Sequence, residues 1–346
     1  MLLLGVETSC DETTAAIVAD GREGRSNVIG SQVERHRPYG GVVPEIAARA
    51  HLELLVPTID RALIEAGAAY RDLDGVAVTA GPGLVGALLV GVAGAKGVAL
   101  AHDRPLIGVN HLEGHVCAAQ LEGAALPVPL VALVVSGGHT SVVHLDAGGV
   151  WHELGSTIDD AAGEAYDKVA RFLGLAYPGG PEIDRLATDG DPTAIAFPRA
   201  LAEEGYDFSL SGLKTAVVRE LRRREAAGEP VSVADVAASF QEAVVDVQVA
   251  KTMAAAQACD VGDVLVVGGV AANSRLRAAM DRACQQHGRR LHVPSPALCT
   301  DNAAMIAAAG ANRLAAGQAS SLELDAQPGL SVDGLTVPLP GWEPAG

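Results

Sequence analysis

Two segments of the chain repeat one pattern: an apolar stretch, a short polar turn with a threonine, and a second apolar stretch. They are LLLGVETSCDETTAAIV at residues 2–18 and LVALVVSGGHTSVVHL at residues 130–145. A third segment, DVLVVGGVAANSRLRAAM at residues 263–280, predicts a strand, a glycine turn and the start of a helix. Strands that end in turns of small residues leave backbone N–H groups free to bind phosphate oxygens. The repetition therefore predicts a duplicated nucleotide-binding core.

Strands alternate with helices between these segments, which predicts an α/β fold with two lobes and a central cleft. The boundary falls at EGAALPVP, residues 122–129. A late helix in TDNAAMIAAAGANRLAAG should be capped by Thr300 or Asp301. The expected organisation is a first lobe at 1–128 joined by the C-terminal helix 300–317, a second lobe at 129–299 with a helical insertion near 180–258, and an irregular tail at 318–346.

The charge of the chain limits the ligands that its surface can attract. The formal net charge is −17 and aromatic residues make up 3% of the sequence. Such a surface repels phosphate backbones on average and offers few rings for stacking bases. The local exception is RELRRRE, residues 219–225, whose arginines either face solvent or contact nucleic-acid phosphates.

The apolar stretches of the chain indicate neither export nor membrane insertion. The N-terminus MLLLGVETSCDET lacks a basic region and predicts a first strand rather than a signal peptide. The longest apolar stretch, GLVGALLVGVAGAKGVALA, is interrupted by Lys96 and predicts a buried helix in preference to a transmembrane one. The five cysteines are scattered without a C-x-x-C motif, which is typical of a reducing compartment. We therefore expect a cytoplasmic protein without membrane contact.

Two histidines four residues apart, in VNHLEGHVCA at residues 109–118, are candidate metal ligands. On a helix His111 and His115 share a face, whereas Glu113 is rotated by about 200° from His111. This geometry argues against the zinc peptidase motif H-E-x-x-H, in which the glutamate acts as general base. The pair either binds a metal or consists of ordinary surface or capping histidines. Two ligands are too few for a tight site, and the candidates for a third are Asp159, Asp160, Glu164, Asp167 and Asp301.

Ten short runs in the sequence together point to one family. They are GVETSCDET, YGGVVPE, TAGPGLVGALLVG, NHLEGH, VSGGHT, IDDAAGEAYDK, YPGGP, FSLSGLKTA, GGVAAN and CTDNAAMIA. Over residues 2–316 the chain resembles the bacterial form of the universal tRNA threonylcarbamoyladenosine transferase family. That family has the actin-like, sugar-kinase-like ATPase fold, which agrees with the duplicated core.

The resemblance implies transfer of a threonylcarbamoyl group from threonylcarbamoyl-AMP. The acceptor would be N6 of adenosine 37 in tRNAs that read codons beginning with A. The donor is a mixed anhydride with AMP as leaving group, so the reaction requires no protein nucleophile, and the sequence offers no G-x-S-x-G motif or paired cysteine and histidine. The alternatives are an ATP-dependent small-molecule kinase on the same fold, a metallopeptidase, or a non-enzymatic scaffold that uses the apolar helix as an interaction surface.

The resemblance also implies the residues that hold the adenylate and its acyl arm. They are Val134, Val135, Ser136, Gly137, Gly138, Asp167, Gly180, Asp184 and Asn273. Small turns permit close approach, and carboxylates and an amide can bond a nucleoside. Judged singly, Ser136 could only cap a turn, Asp184 could only cap or pair on a helix, and Asn273 could be an N-cap. Asp11 and Glu12 are further candidates to which we assign no role.

The metal and the partners also follow from the resemblance. It selects Asp301 as the third ligand beside His111 and His115, and this donor set suits one Fe(II) or Zn(II), of which we favour Fe(II). The implied partners are tRNA, a catalytically degenerate paralogue subunit, a small P-loop ATPase subunit and the threonylcarbamoyl-AMP synthase that supplies the donor.

Overall fold

The structure is a computed structural model that describes residues 1–123 and 125–336, so that part of the predicted tail, residues 337–346, lies outside the described residues. The strands are β1 (Leu2–Glu7), β2 (Glu12–Ala19), β3 (Glu23–Ser31), β4 (Gly75–Gly81), β5 (Leu106–Asn110), β6 (Leu130–Val135), β7 (Thr140–Leu145), β8 (Trp151–Ser156), β9 (Asp263–Val267) and β10 (Arg290–His292).

The α-helices are α1 (Val33–His36), α2 (Pro44–Ala66), α3 (Val85–His102), α4 (His111–Cys117), α5 (Ala162–Phe172), α6 (Gly179–Ala187), α7 (Ser211–Ala227), α8 (Val233–Ala258), α9 (Ser274–Gln286), α10 (Pro296–Cys299) and α11 (Ala303–Ala315). Short 3-10 turns lie at Arg37–Tyr39, Tyr70–Asp72, Ala118–Glu122 and Gly269–Ala272.

The two five-stranded sheets have the same strand order. The first runs β3-β2-β1-β4-β5, and the second runs β8-β7-β6-β9-β10. Counted along the chain, the first strand of each sheet pairs in parallel with the fourth strand of that sheet. These pairs are β1 with β4 and β6 with β9. The similarity between residues 2–18 and 130–145 thus extends over two complete sheets, and the predicted duplicated core is confirmed.

The chain forms two compact units. Unit 1 comprises the described residues of 1–128, 145–152 and 294–336, and unit 2 comprises residues 129–144 and 153–293. In unit 1 the alternation along β1 directs Leu4 and Val6 into a cluster with Leu55 and Ile59 of α2. Gly5 faces α11, where a Cβ atom would lie 2.1 Å from the carbonyl oxygen of Ala303. Because only glycine permits this approach, α11 packs directly against the backbone of β1.

Unit 2 buries a separate core among its helices. Residues of α5, α6, α7 and α8 form one apolar cluster, in which the rings of Tyr166 and Phe240 meet edge to face at 5.1 Å. The chain then forms α7 and α8, with a break at residues 228–232.

Two details of the helices differ from the expectations. Helix α11 is capped by Asn302, whose side chain accepts a hydrogen bond from the N–H of Met305, and not by Thr300 or Asp301. The stretch predicted as a buried helix forms α3, but only 33% of its 18-residue window is buried. Among the described residues α3 is long and apolar enough to span a membrane by length and composition alone, which is weak evidence for a span.

The described part of the tail, residues 318–336, is anchored to the first sheet by hydrogen bonds. The N–H of Ser320 donates to the carbonyl of Leu106 at 2.7 Å, and the N–H of Gly108 donates to Ser320 Oγ at 2.9 Å. Farther along, Asn110 Nδ2 donates to the carbonyl of Leu330 at 3.1 Å. The tail therefore lies along β5 and contacts Asn110, the residue immediately before the histidine helix.

Candidate functional site

Helix α4 carries the two histidines and begins where β5 ends. Asn110 caps it, because its side-chain oxygen accepts from the N–H of Leu112 at 2.9 Å while its amide donates to the tail. His111 and His115, one helical turn apart, are 1% and 0% exposed. Their ring centroids lie 4.6 Å apart at an interplanar angle of 78°. The predicted shared face is therefore present, and it points into the protein.

Asp301 meets this histidine face from the segment that precedes α11. Its Oδ1 lies 3.6 Å from His111 Nε2 and 3.2 Å from His115 Nε2. The three ligand atoms lie within 4.8 Å of one another. Within the part of the chain that the structure describes, neither ring nitrogen of His115 makes a hydrogen bond, although both are buried. An unsatisfied buried polar atom is costly, so this donor set fits a metal ion, which would satisfy His115 Nε2.

Burial and neighbouring charges have opposing effects on the pKa values of the groups at this site. Burial disfavours the charged form of His111, but the carboxylates of Glu7 and Asp301 outweigh it and raise the pKa of His111 to about 9. Burial lowers the pKa of His115. Burial also disfavours ionisation of Glu7, but the charge of His111 and hydrogen bonds hold the pKa of Glu7 below its usual value. Metal binding at His111 would therefore compete with a proton.

Glu113 points away from the histidine face, as the helix geometry predicted. Its carboxylate is 1% exposed and accepts hydrogen bonds of 2.6 to 3.0 Å from the guanidinium of Arg313 on α11. This pairing removes Glu113 from any role as general base over a metal at His111 and His115.

The other acids considered as third ligands belong to unit 2 and have their own partners there. Asp159 accepts hydrogen bonds from Ser209, Leu210 and Ser211 at the start of α7. Asp160 pairs with Lys168 and Lys214, and Glu164 with Lys168. Asp167 accepts from the N–H of Gly179 at 2.7 Å. Of the five candidates, the structure brings Asp301 to the two histidines.

The segment from the end of β1 to the start of β2 holds two further acids and one residue that the sequence did not single out. Burial, together with the negative charge of Asp11, raises the pKa of Glu12 to about 7, and burial raises the pKa of Asp11. The missed residue is Glu7, the last residue of β1, which accepts a hydrogen bond from His111 Nδ1 at 2.9 Å. A signal was available, since an acid that ends an otherwise apolar buried strand requires a specific partner.

In unit 2 the predicted adenylate residues begin at the carboxyl end of β6. Val134 and Val135 are fully buried strand residues, so any ligand would contact their main chain. Ser136 closes the turn, because its Oγ accepts from the N–H of His139 at 3.1 Å. Gly137 and Gly138 are exposed, and no atom lies within 4 Å of a Cβ placed on either. The turn thus offers an open backbone, and β9 ends beside it in the parallel pair.

The remaining adenylate residues surround this strand end through α5, α6 and α9. Gly163 at the start of α5 is so close to the turn that a Cβ would lie 2.7 Å from Gly137 Cα. Farther along α5, Asp167 bonds the first turn of α6, which contains Gly180. From the same helix, Asp184 accepts from the N–H and Oγ of Ser274 at 3.1 and 2.9 Å. The set therefore shares one region of unit 2.

Asn273 serves as the N-cap of α9, one of the two roles that the sequence left open. Its Oδ1 accepts from the N–H of Leu276 at 2.9 Å, and its Nδ2 donates to Gln241 at 2.7 Å. At 8% exposure it retains one amide hydrogen that neither of these bonds uses. A separate cavity of about 480 Å³, between residues 195–198 and α7, contains none of the predicted site residues.

Comparisons with known proteins agree on one family. Residues 23–308 match the model of the TsaD family, tRNA N6-adenosine threonylcarbamoyltransferase. The chain is 56% identical to the transferase of that name from Geobacillus thermodenitrificans, over 95% of this chain and 96% of the relative. It is 52% identical to the one from Bacillus subtilis, over 96% of each chain.

Two solved structures are similar in fold. HypF from T. kodakarensis aligns with a TM-score of 0.61 at 15% identity, covering 91% of this chain and 48% of that one. Component A of (R)-2-hydroxyglutaryl-CoA dehydratase from Acidaminococcus fermentans aligns with a TM-score of 0.55 at 16% identity, covering 91% and 99%. These similarities support the predicted actin-like ATPase fold.

Proposed function

Because the chain belongs to the family of tRNA N6-adenosine threonylcarbamoyltransferases, we propose that His111, His115 and Asp301 hold a catalytic metal and that the end of β6 holds the adenylate donor. The protein is a transferase that forms N6-threonylcarbamoyladenosine at position 37 of tRNA. The donor is threonylcarbamoyl-AMP, and the acceptors are tRNAs that read codons beginning with A.

The observation that carries the metal proposal is the environment of His115. Both of its ring nitrogens are buried without a hydrogen bond among the described residues, and Nε2 lies 3.2 Å from Asp301 Oδ1. Imidazole and carboxylate ligands suit both Fe(II) and Zn(II), and of the two we favour Fe(II). When bound, an ion held by these three residues would supply Lewis-acid chemistry for anionic oxygens.

The adenylate lies at the carboxyl ends of β6 and β9, where open α/β sheets commonly bind ligands. The exposed backbone of Gly137 and Gly138 admits its phosphate, and Gly180 leaves space because it lacks a side chain. Asp167 and Asp184 accept from Gly179 and Ser274, and because a carboxylate has about four lone-pair sites, each can accept from ribose hydroxyls as well.

The transfer itself needs no covalent intermediate on the protein. The N6 amine forms a bond to the carbamoyl carbon as the bond from that carbon to the phosphate oxygen breaks, AMP leaves with the electron pair, and the nitrogen loses one proton to solvent. The cysteines fit this scheme, because burial raises the pKa of both Cys10 and Cys117 well above the usual value and keeps them as thiols. The pairing of Glu113 with Arg313 weighs against a peptidase, and relatives 52% to 56% identical are named as transferases rather than kinases.

The proposed partners include a paralogous subunit that docks on α2 and α3. These helices leave apolar residues one turn apart in solvent: Leu52 and Val56 on α2, at 69% and 61% exposure, and Val85 and Leu89 on α3, at 54% and 48%. Exposed apolar surface of this kind marks interaction sites. A small P-loop ATPase subunit and the threonylcarbamoyl-AMP synthase complete the set of partners, and the reaction takes place in the cytoplasm.

The metal proposal is tested by removing one ligand at a time. His115→Ala and Asp301→Ala should each lose bound metal, measured by plasma mass spectrometry after dialysis, and transfer to tRNA from synthetic threonylcarbamoyl-AMP. His287→Ala is the matched control, since His287 is exposed in unit 2 and should leave both unchanged. Full metal content in His115→Ala would show that the donor set is not a metal site.

A further inference from the structure

Glu7 is a buried carboxylate whose partners all donate to it. It ends β1 at 1% exposure and accepts hydrogen bonds from the N–H of Ser9 and from the hydroxyl of Thr79. Its third partner is His111 Nδ1, at 2.9 Å from Glu7 Oε2. Strand pairing explains the arrangement, because β1, β4 and β5 are adjacent and parallel, so that residues at their carboxyl ends meet.

These contacts fix Nδ1 of His111 as a proton donor. A carboxylate that already accepts from Ser9 and Thr79 has only lone pairs to offer His111, so Nδ1–H donates to Glu7 Oε2 at 2.9 Å, and Ser9 Oγ lies 3.2 Å from the same nitrogen. The other nitrogen, Nε2, faces Asp301 Oδ1 at 3.6 Å. Glu7 thus leaves Nε2 as the atom that can bind a metal once it has lost its proton, and it prevents the imidazole ring from flipping.

His115 has no comparable partner. Both of its ring nitrogens lack a hydrogen bond within the described part of the chain, whereas His111 is held from behind by Glu7. The donor set is therefore asymmetric, with one imidazole fixed before metal arrives. Carboxylates that accept from the remote N–H of a metal-bound histidine orient the ring and make it a stronger ligand.

We propose that Glu7 is a positioning residue for the metal: it holds His111 in the Nδ1–H form, directs Nε2 at the ion and strengthens its binding. This inference rests on the proposed metal site at His111, His115 and Asp301. It adds a residue that does not touch the ion or the substrates.

The test compares metal affinity in Glu7→Gln, Thr79→Val and the wild-type chain by competition titration with Zn²⁺. Glu7→Gln should bind Zn²⁺ about 10- to 100-fold more weakly, because it loses the carboxylate behind His111. Thr79→Val removes a hydrogen bond to the same carboxylate but leaves the bond between Glu7 and His111. It should stay within about threefold of wild type, since the Thr79 bond is present with and without metal.

A second measurement uses the wild-type protein and so does not depend on whether a variant folds. In the Zn²⁺-loaded wild-type protein, two-bond ¹H–¹⁵N correlation spectra should show His111 protonated at Nδ1 and metal-bound at Nε2. Metal bound to Nδ1 would overturn the positioning role of Glu7. The role would also be overturned if Glu7→Gln and wild type had equal Zn²⁺ affinity while His115→Ala bound none. Either result would leave the proposed metal site intact. Wild-type affinity in His115→Ala would overturn the metal site itself.

Discussion

The guanidinium of Arg313 on α11 holds the carboxylate of Glu113 on α4 through hydrogen bonds of 2.6 to 3.0 Å, in a part of unit 1 where Glu113 is 1% exposed. The histidines of α4 and this glutamate thus occupy different faces of one short helix. One face carries the proposed ligands, and the other ties α4 to the helix that follows Asp301.

Removing this glutamate should damage stability and spare the metal ligands. Glu113→Ala leaves Arg313, whose side chain is 15% exposed, without a countercharge, so the free energy of unfolding should fall by about 3 to 5 kcal/mol in urea titrations. The double variant Glu113→Leu with Arg313→Met is the matched control and should recover most of that loss, because neither charge is then buried alone. A fall below about 1 kcal/mol in Glu113→Ala would contradict the importance of the pair.

The pKa of Glu12 predicts a pH dependence of stability in the metal-free protein. Burial and the charge of Asp11 raise this pKa from 4.5 to about 7. As pH rises from 4.5 to about 7, the unfolded chain loses the Glu12 proton before the folded chain does, so stability falls across this window. Glu12→Gln should lack this fall and, above about pH 7, be more stable than wild type by an amount on the order of 1 to 3 kcal/mol. If the free energy of unfolding changed with pH in the same way in wild type and Glu12→Gln, the raised pKa of Glu12 would be contradicted.

Asn273 should contribute both to folding and to binding. Asn273→Ala removes the N-cap of α9 and should cost about 1 kcal/mol of stability. It also removes the amide, so calorimetric titration with AMP should show a loss of roughly 1 to 3 kcal/mol in affinity. Asn273→Asp keeps the capping oxygen, so it should retain most of the stability and still bind AMP weakly. Normal AMP affinity in Asn273→Ala would mean that the residue only caps the helix.

The arginines of α7 should differ in their effect on tRNA binding. Arg223 pairs with Glu220 and Glu229, and Arg224 pairs with Glu220, whereas no described acid pairs with Arg219 or Arg222. Reversing Arg219 and Arg222 should weaken tRNA binding and lower its log–log salt slope by somewhat under one unit for each phosphate that is no longer neutralised. Reversing the paired Arg223 and Arg224 is the control, with a smaller change in slope expected. Identical slopes in all variants would place tRNA elsewhere.

Local patterns in the sequence predicted the parts of this structure that depend on neighbouring residues. The i, i+4 spacing of His111 and His115 gives a shared helix face wherever the helix packs, and the repeat at 2–18 and 130–145 requires two similar strand pairs. The pairing of Arg223 and Arg224 with Glu220 was not predicted, although helical spacing allows it, and it leaves fewer free cations than the arginine count suggests.

Contacts between residues that are far apart in the sequence could not be predicted from local patterns. Arg313 lies 200 positions from Glu113, and nothing in NHLEGH indicates that its glutamate is paired. Asp301 was selected by resemblance among five acids, and the other four bind turns, backbone N–H groups or lysines in unit 2. The cap of α11 was predicted one or two residues early, because Thr300, Asp301 and Asn302 are all good capping residues and only the backbone decides among them.

The tail segment along β5 also affects the behaviour of the protein in solution. β5 is the last strand of its sheet, and an uncovered outer strand presents unpaired N–H and C=O groups to strands of other molecules. Ser320 occupies those groups at Leu106 and Gly108. A proteolytic fragment that ends before Ser320 would keep every proposed ligand and nucleoside residue, yet expose a template for intermolecular β-pairing. Aggregation, rather than loss of chemistry, is then the expected defect of such fragments.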